Sequence, residues 1–115
     1  MKLQKKDRYY EFILEGEFNA ENVNRQITQI AEICKKDRVN KIMAILTELS
    51  GDISIVDRYS IGKHGASYYL GVKVAVVLRE DQMKEDLLGE TAARNRGLNV
   101  KDFTSWEKAE KWLID

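Results

Sequence analysis

Hydrophobic and polar residues alternate along Tyr9 to Phe18, and this alternation predicts a half-exposed first strand. Tyr10, Phe12 and Leu14 fall on one side of the strand, and glutamates lie on the other. The preceding segment, Lys2 to Lys6, is expected to pair back on this strand through a turn.

Apolar residues then recur at helical spacing and predict a first helix, which Asn19 caps and which ends near Lys36. The shared face of this helix carries Val23, Ile27, Ile30, Ala31 and Cys34. The basic residues at its end are interpreted as compensation of the helix dipole. The apolar run Lys41 to Leu46 predicts a central parallel strand that is covered on both faces.

A second helix is predicted after Ser54, which stands in capping-box register with Asp57. Its inner face is expected to carry Ile55, Tyr59, Gly62, Ala66 and Tyr69, and Gly71 ends it. Because residues 62 and 66 are small, this helix is expected to approach its neighbours closely.

The rest of the chain continues the alternation of strands and helices. Val72 to Leu78 predicts a buried strand, Asp81 to Arg96 a third helix, and Leu98 to Phe103 a shorter strand. Thr104 and Glu107 stand in capping-box register and are expected to open the last helix. The apolar stripe of that helix consists of Trp106, Ala109, Trp112 and Leu113.

This order predicts one α/β domain over residues 1–115, of the form βαβαβαβα, with a mostly parallel sheet of four to five strands packed by helices. In such a fold, functional residues are expected where the carboxyl ends of the strands meet the helix starts.

Composition narrows the range of functions. The 115 residues include 19 Lys+Arg and 19 Asp+Glu, and this balance predicts no nucleic-acid partner. The longest purely apolar runs are far shorter than the ~20 residues that span a membrane, so no membrane span is expected. The polar N-terminus does not resemble a secretory signal, which predicts a cytoplasmic location.

Catalytic equipment is not evident in the sequence. One cysteine and one histidine make an internal disulfide and a His/Cys zinc site improbable, and no glycine-rich phosphate motif is present, so no metal and no cofactor is predicted. Asp57, Ser60 and His64 share one helix face but lack a pocket and an oxyanion hole. We therefore expect no catalytic residues, with Cys34 in the core and His64 on the surface.

Two candidate sites remain. Ser50, Ser54 and Ser60 place hydroxyls near the start of the second helix, where backbone donors favour a phosphate. The alternative is that they serve only as turn, cap and surface residues. A small apolar pocket between the second and third helices is the other candidate, with space left at Gly62, and ordinary core packing is the favoured alternative. Its expected lining comprises Tyr59, Ala66, Tyr69, Leu87 and Leu88.

Two segments resemble a known family. They are Asp57-Arg58-Tyr59-Ser60-Ile61-Gly62, and Glu90-Thr91-Ala92-Ala93-Arg94-Asn95-Arg96-Gly97 leading into Val100, Phe103 and Trp112-Leu113. With the strand–helix order, they resemble the small bacterial SpoIIAA-like proteins of the STAS type, which extend towards the lipid-binding SEC14 and CRAL-TRIO class. The resemblance covers nearly the whole chain and implies the STAS-like fold.

In anti-sigma-factor antagonists of this family, an Asp-Ser-Ser-Gly-type motif carries a phosphorylated serine that switches partner binding. In this chain Arg58 and Tyr59 occupy the serine positions, and the nearest hydroxyl is on Ser60. Ser50 or Ser54 is the substitute that the position of the helix start favours.

Two functional hypotheses follow from these patterns. The first is a non-enzymatic regulatory or protein-interaction module that presents the second helix and the preceding loop to a protein partner, with Ser54 and Arg58 on that face. The second is a carrier or sensor of a small apolar or lipid-like molecule held beneath the second helix by Tyr59, Gly62, Ala66 and Tyr69. Homodimerisation stays open.

Overall fold

Strands and helices alternate through the computed structural model, which describes residues 1–69 and 71–115 and, over residues 84–89, the backbone alone. The strands are β1 (Lys2–Lys5), β2 (Tyr10–Ile13), β3 (Gly16–Glu17), β4 (Lys41–Ile45), β5 (Leu49–Ser50), β6 (Lys73–Val77) and β7 (Asn99–Phe103). The helices are α1 (Ala20–Asp37), α2 (Ile55–Tyr68), α3 (Glu80–Arg94) and α4 (Trp106–Ile114). None of the helices in these ranges is long and apolar enough to cross a membrane.

The main sheet has five strands in the order β1-β2-β4-β6-β7. β1 pairs antiparallel with β2, and the remaining neighbours pair in parallel. The prediction that the N-terminal segment folds back on the first strand is therefore confirmed, as is the central position of β4.

The predicted first strand is too long. It divides into β2 and β3, because Gly16 adopts a left-handed backbone conformation with φ of 98° and turns the chain. β3 then leaves the main sheet and pairs in parallel with β5. This small second sheet sets the geometry of the loop that leads into α2.

Side-chain caps fix the helix starts. The Asn19 side chain accepts a 2.8 Å hydrogen bond from the backbone N–H of Asn22, as predicted for α1. Ser54 caps α2 in the same way, with a 3.1 Å bond from the N–H of Asp57. α4 begins one residue later than predicted, because Ser105 rather than Thr104 accepts the capping bond.

Hydrophobic side chains form a core on each face of the main sheet. The larger core lies between the sheet and α1, α2 and α3, and the smaller one between the sheet and α4. Cys34 is 4% exposed within the larger core, as expected from the sequence, and burial raises the pKa of its thiol to about 11. The larger core is the one that contains the candidate site.

Candidate functional site

The inner face of α2 differs from the predicted one. Arg58, Gly62 and Gly65 are buried, whereas Ile55 is 68% exposed and Tyr59 is 39% exposed. The spacing of the buried residues still fits one helical face, but that face is rotated towards Arg58. A charged residue therefore occupies the position that the sequence pattern gave to a tyrosine.

Beneath α2, the described residues line a partly open cavity of about 90 Å³. Its floor is the main sheet, represented by Ala44 and Val76, and its roof includes Gly62 and Gly65 of α2. The side chain of Tyr69 forms part of the wall and donates a 2.5 Å hydrogen bond to the carbonyl oxygen of Ile27. Glycines in the roof leave the space that larger side chains would fill.

The expected pocket residues are thus only partly brought together. Gly62 and Tyr69 line the cavity, and Ala66 is buried in the adjoining core. Tyr59 lies outside it at the surface, so the prediction that it lines the pocket is wrong. The side chains of Leu87 and Leu88 lie outside the part of the chain that the structure describes.

Three charged residues are among those that line this mostly apolar cavity: Arg58, Glu90 and Asp102. Asp102 is 5% exposed and follows Val100 by two residues on β7, which places both on the same face of the sheet. The Glu90 carboxylate lies 3.5 Å from the Arg94 guanidinium; the Glu90 side chain is 10% exposed, whereas that of Arg94 is 55% exposed.

Arg58 is only 3% exposed, and the expectation that it belongs to an exposed partner face is wrong. Its guanidinium carbon lies 5.3 Å from the centroid of the Phe18 ring, and Nη1 donates a 3.3 Å hydrogen bond to the carbonyl oxygen of Gln82. A planar cation that stacks on an aromatic ring and reaches a backbone acceptor tolerates this burial. The Arg58 side chain therefore forms part of the buried surroundings of the cavity.

On the outer surface, two cationic side chains contact Tyr59. Arg96 Nη2 donates a 3.1 Å hydrogen bond to the Tyr59 hydroxyl oxygen. Arg96 and Lys63 both lie against the ring, at 5.4 and 5.5 Å from its centroid. The hydrogen bond from Arg96, followed by the charges of Arg96 and Lys63, holds the pKa of the Tyr59 hydroxyl below its usual value.

The candidate serines have different surroundings. Ser54 is exposed and its oxygen caps α2. Ser50 is exposed on β5 and donates a 3.3 Å hydrogen bond to the carbonyl oxygen of Gly16. Ser60 is half-buried and accepts a 3.4 Å bond from Asn24 of α1. Ser50 and Ser54 thus remain reachable from solvent, whereas Ser60 belongs to the contact between α1 and α2.

Asp57 and His64 lie on the same face of α2 as Ser60, and both also contact α1. The Asp57 carboxylate accepts a 3.0 Å hydrogen bond from the backbone N–H of Ala20. His64 Nε2 lies 3.0 Å from Thr28 Oγ1, so the prediction of a simple surface histidine is wrong. These side chains join two helices and form no nucleophile–base pair with Ser60 in the contacts described.

Asp102, and the exposed apolar pair Ile55 and Val56 within the predicted partner face, are functional candidates that the sequence reasoning missed. The two-residue period of the predicted strand was the available signal for Asp102, because it places this residue on the face of Val100. Ile55 and Val56 are 68% and 76% exposed. Elsewhere, no group of three or more His, Cys, Asp or Glu among the described residues is arranged to hold a metal ion.

Comparisons with known proteins support the fold. No family model matches the chain, and no curated protein matches it. Among solved structures, the chain is similar to an uncharacterized protein of the DUF3478 family from Shewanella loihica PV-4, which has a SpoIIAA-like fold. The two share 19% sequence identity with a TM-score of 0.61, over 97% of this chain and 90% of that chain. The chain therefore has a SpoIIAA-like fold, as the sequence resemblance implied.

Proposed function

We propose that this SpoIIAA-like domain is a non-enzymatic binding module that holds a small apolar molecule in the cavity beneath α2. The observation that carries this proposal is the cavity of about 90 Å³ in the larger core. Folded interiors are close-packed, and voids larger than a water molecule are few. A space of this size, roofed by two glycines of one helix, fits a binding role better than a packing role.

Energetics support the same interpretation. An enclosed void in a core lowers stability by roughly 24 cal/mol per Å³, so a cavity of this size costs at most about 2 kcal/mol. A larger side chain at position 62 or 65 would reduce that cost. A bound molecule recovers the lost contacts and stabilises the folded chain according to its concentration and affinity.

The test replaces Gly62 with leucine, which fills the cavity from its roof. The matched control is Ser67→Leu, since Ser67 is an exposed residue of the same helix. Xenon is the probe, because it needs no polar contact and enters apolar cavities. We expect xenon-dependent NMR shifts at cavity residues in the parent chain and in Ser67→Leu, and their loss in a folded Gly62→Leu variant. Persistent xenon shifts in Gly62→Leu, or none in the parent chain, would refute the proposal.

A second candidate function is binding of a protein partner through the first turn of α2, and a separate observation favours it. Ile55 and Val56 are adjacent, apolar and 68% and 76% exposed. They follow Ser54, whose exposed hydroxyl caps the helix. Phosphorylation of Ser54 would add a dianion beside this apolar pair, so a partner that contacts the pair would sense the modification.

The partner test uses Val56→Asp and Ser54→Asp, with Leu3→Asp as the control, because Leu3 is another exposed apolar residue and lies on β1. The immobilised parent chain is used to capture proteins from an extract of its host, and each captured protein is then purified and titrated directly. We expect a protein that binds the parent and Leu3→Asp chains but binds Val56→Asp at least about tenfold more weakly, from loss of a buried apolar contact. Equal affinity for all folded variants would exclude this face.

A further inference from the structure

The exposed side of α2 has an apolar end and a cationic end. Ile55, Tyr59 and Lys63 follow one another at intervals of four residues, so their side chains share one face of the helix. Val56 lies three residues before Tyr59 and belongs to the same face, and all four residues are exposed. Arg96, which follows α3, reaches this face through its hydrogen bond to the Tyr59 hydroxyl. We call these five residues the outer strip.

The cationic end of the outer strip offers three hydrogen-bond donors to an anion. Arg96 donates to the carbonyl oxygen of Ala92 and to the Tyr59 hydroxyl, which are both neutral acceptors, and a guanidinium has five N–H donors in all. The Tyr59 hydroxyl accepts from Arg96, so its own proton can be donated to another acceptor. The Lys63 ammonium lies against the same ring. In the contacts of the described residues, neither cation is paired with a carboxylate.

The surroundings of the outer strip favour an anion at this end. The hydrogen bond and the positive charges that lower the pKa of the Tyr59 hydroxyl would also stabilise a carboxylate beside it. The Asp57 carboxylate is turned towards α1, where it accepts from the N–H of Ala20. Asp52 lies in the loop before α2, next to the apolar end of the strip. The outer strip is therefore polarised, with its apolar end at the start of the helix.

We propose that the outer strip binds an acidic, amphipathic segment of a partner protein. The apolar side chains of this segment pack on Ile55 and Val56. An aspartate or glutamate of the segment pairs with Arg96 and Lys63 and accepts from them. This inference rests on the second proposed function, binding of a protein partner through the first turn of α2, and names the chemistry of that partner.

The spacing of the two ends sets the length of the segment. Lys63 is eight residues beyond Ile55, and a helix rises about 1.5 Å per residue, so the two ends are about 12 Å apart. A peptide of about 12 residues spans this distance in either an extended or a helical conformation. A short peptide can therefore reproduce the contacts of the partner.

The probe is a phage-displayed library of random peptides of about 12 residues, selected on the full parent chain. Selected peptides are synthesised and titrated against the parent chain, Val56→Asp and the double variant Lys63→Glu/Arg96→Glu at constant ionic strength. The matched control is Lys108→Glu/Lys111→Glu, which makes the same change of charge at two exposed lysines of α4. Circular dichroism checks that each variant is folded.

We expect the selected peptides to combine aspartate or glutamate with apolar residues. They should bind Lys63→Glu/Arg96→Glu at least about tenfold more weakly than the parent chain, and the control variant within about threefold of it. Added salt should weaken binding to the parent chain, because charges at an exposed site are screened. If the double variant does not fold, Lys63→Glu alone decides, with an expected loss of about threefold or more.

The failures of the two proposals are distinguishable. Peptides that depend on Val56 but lack acidic residues, or that bind the charge-reversed variant as tightly as the parent chain, would refute this inference and leave the partner-binding function in place. A selection that yields no peptide dependent on Val56 would count against both.

Discussion

Arg58 is the residue that most changes the interpretation of the sequence. A polar/apolar pattern assigns every arginine to the solvent, and on that basis this residue belonged to an exposed partner face. In the structure it is 3% exposed, lies over Phe18 and reaches the backbone of Gln82. Reversing its charge would bury a carboxylate beside a cavity that two acidic residues, Asp102 and Glu90, also line.

We therefore predict that Arg58→Glu lowers the free energy of unfolding by more than about 3 kcal/mol, as expected for an uncompensated buried charge. Lys63→Glu makes the same change of charge at an exposed position of the same helix, and should alter stability by less than about 1 kcal/mol. Urea denaturation of both variants measures the difference. Similar stability of the two variants would mean that Arg58 is not held in the core.

Residues of the candidate site could be predicted only where local spacing determines them. Gly62 and Tyr69 line the cavity, as their spacing along the helix indicated. Arg58 is buried and Tyr59 is exposed, the reverse of the prediction, because their contacts come from distant parts of the chain. Arg58 contacts Phe18 and Gln82, and Tyr59 contacts Arg96. A helical period does not contain that information, since it fixes which residues share a face but not which face turns inward.

At the scale of elements, α2 is the segment on which both proposals depend. Its start is fixed by the Ser54 cap, and Gly71, with φ of 87°, lies in the turn that follows its end, so both features were evident from the sequence. Its inner face lines the cavity through Gly62 and Gly65, and its first turn exposes Ile55 and Val56. One helix thus joins the cavity to an exposed apolar surface.

Strand boundaries illustrate a second limit of sequence reasoning. Alternation from Tyr9 to Phe18 continues past the point where the chain leaves the main sheet. Gly16 redirects the backbone, and the pairing of β3 with β5 is a tertiary contact that no local pattern specifies. The buried strands β4 and β6, by contrast, were predicted to within about one residue at each end, because a continuous apolar run is a local property.

At the scale of the whole molecule, one sheet carries both cores. β4 and β6 place Ile42 and Val74 in the larger core, and Met43 and Ala75 in the smaller core beneath α4. Because successive residues of these central strands face opposite cores, loss of packing on one face removes the support for the other. The two layers are therefore expected to unfold together.

The two tryptophans allow this expectation to be tested. Trp106 and Trp112 are the only tryptophans of the chain and both lie on α4, so their fluorescence reports the smaller core, whereas far-ultraviolet circular dichroism reports all the helices. We predict coincident urea transitions by the two methods.

Leu113→Ala, at a side chain that is 0% exposed, should shift both transitions equally and lower the free energy of unfolding by about 2–5 kcal/mol. Ile30→Ala, at a side chain that is 1% exposed in the larger core, is the matched variant and should do the same. A fluorescence transition that moves to lower urea in Leu113→Ala while the circular dichroism transition stays in place would show that α4 unfolds as a separate layer, and that the larger core and its cavity do not depend on it.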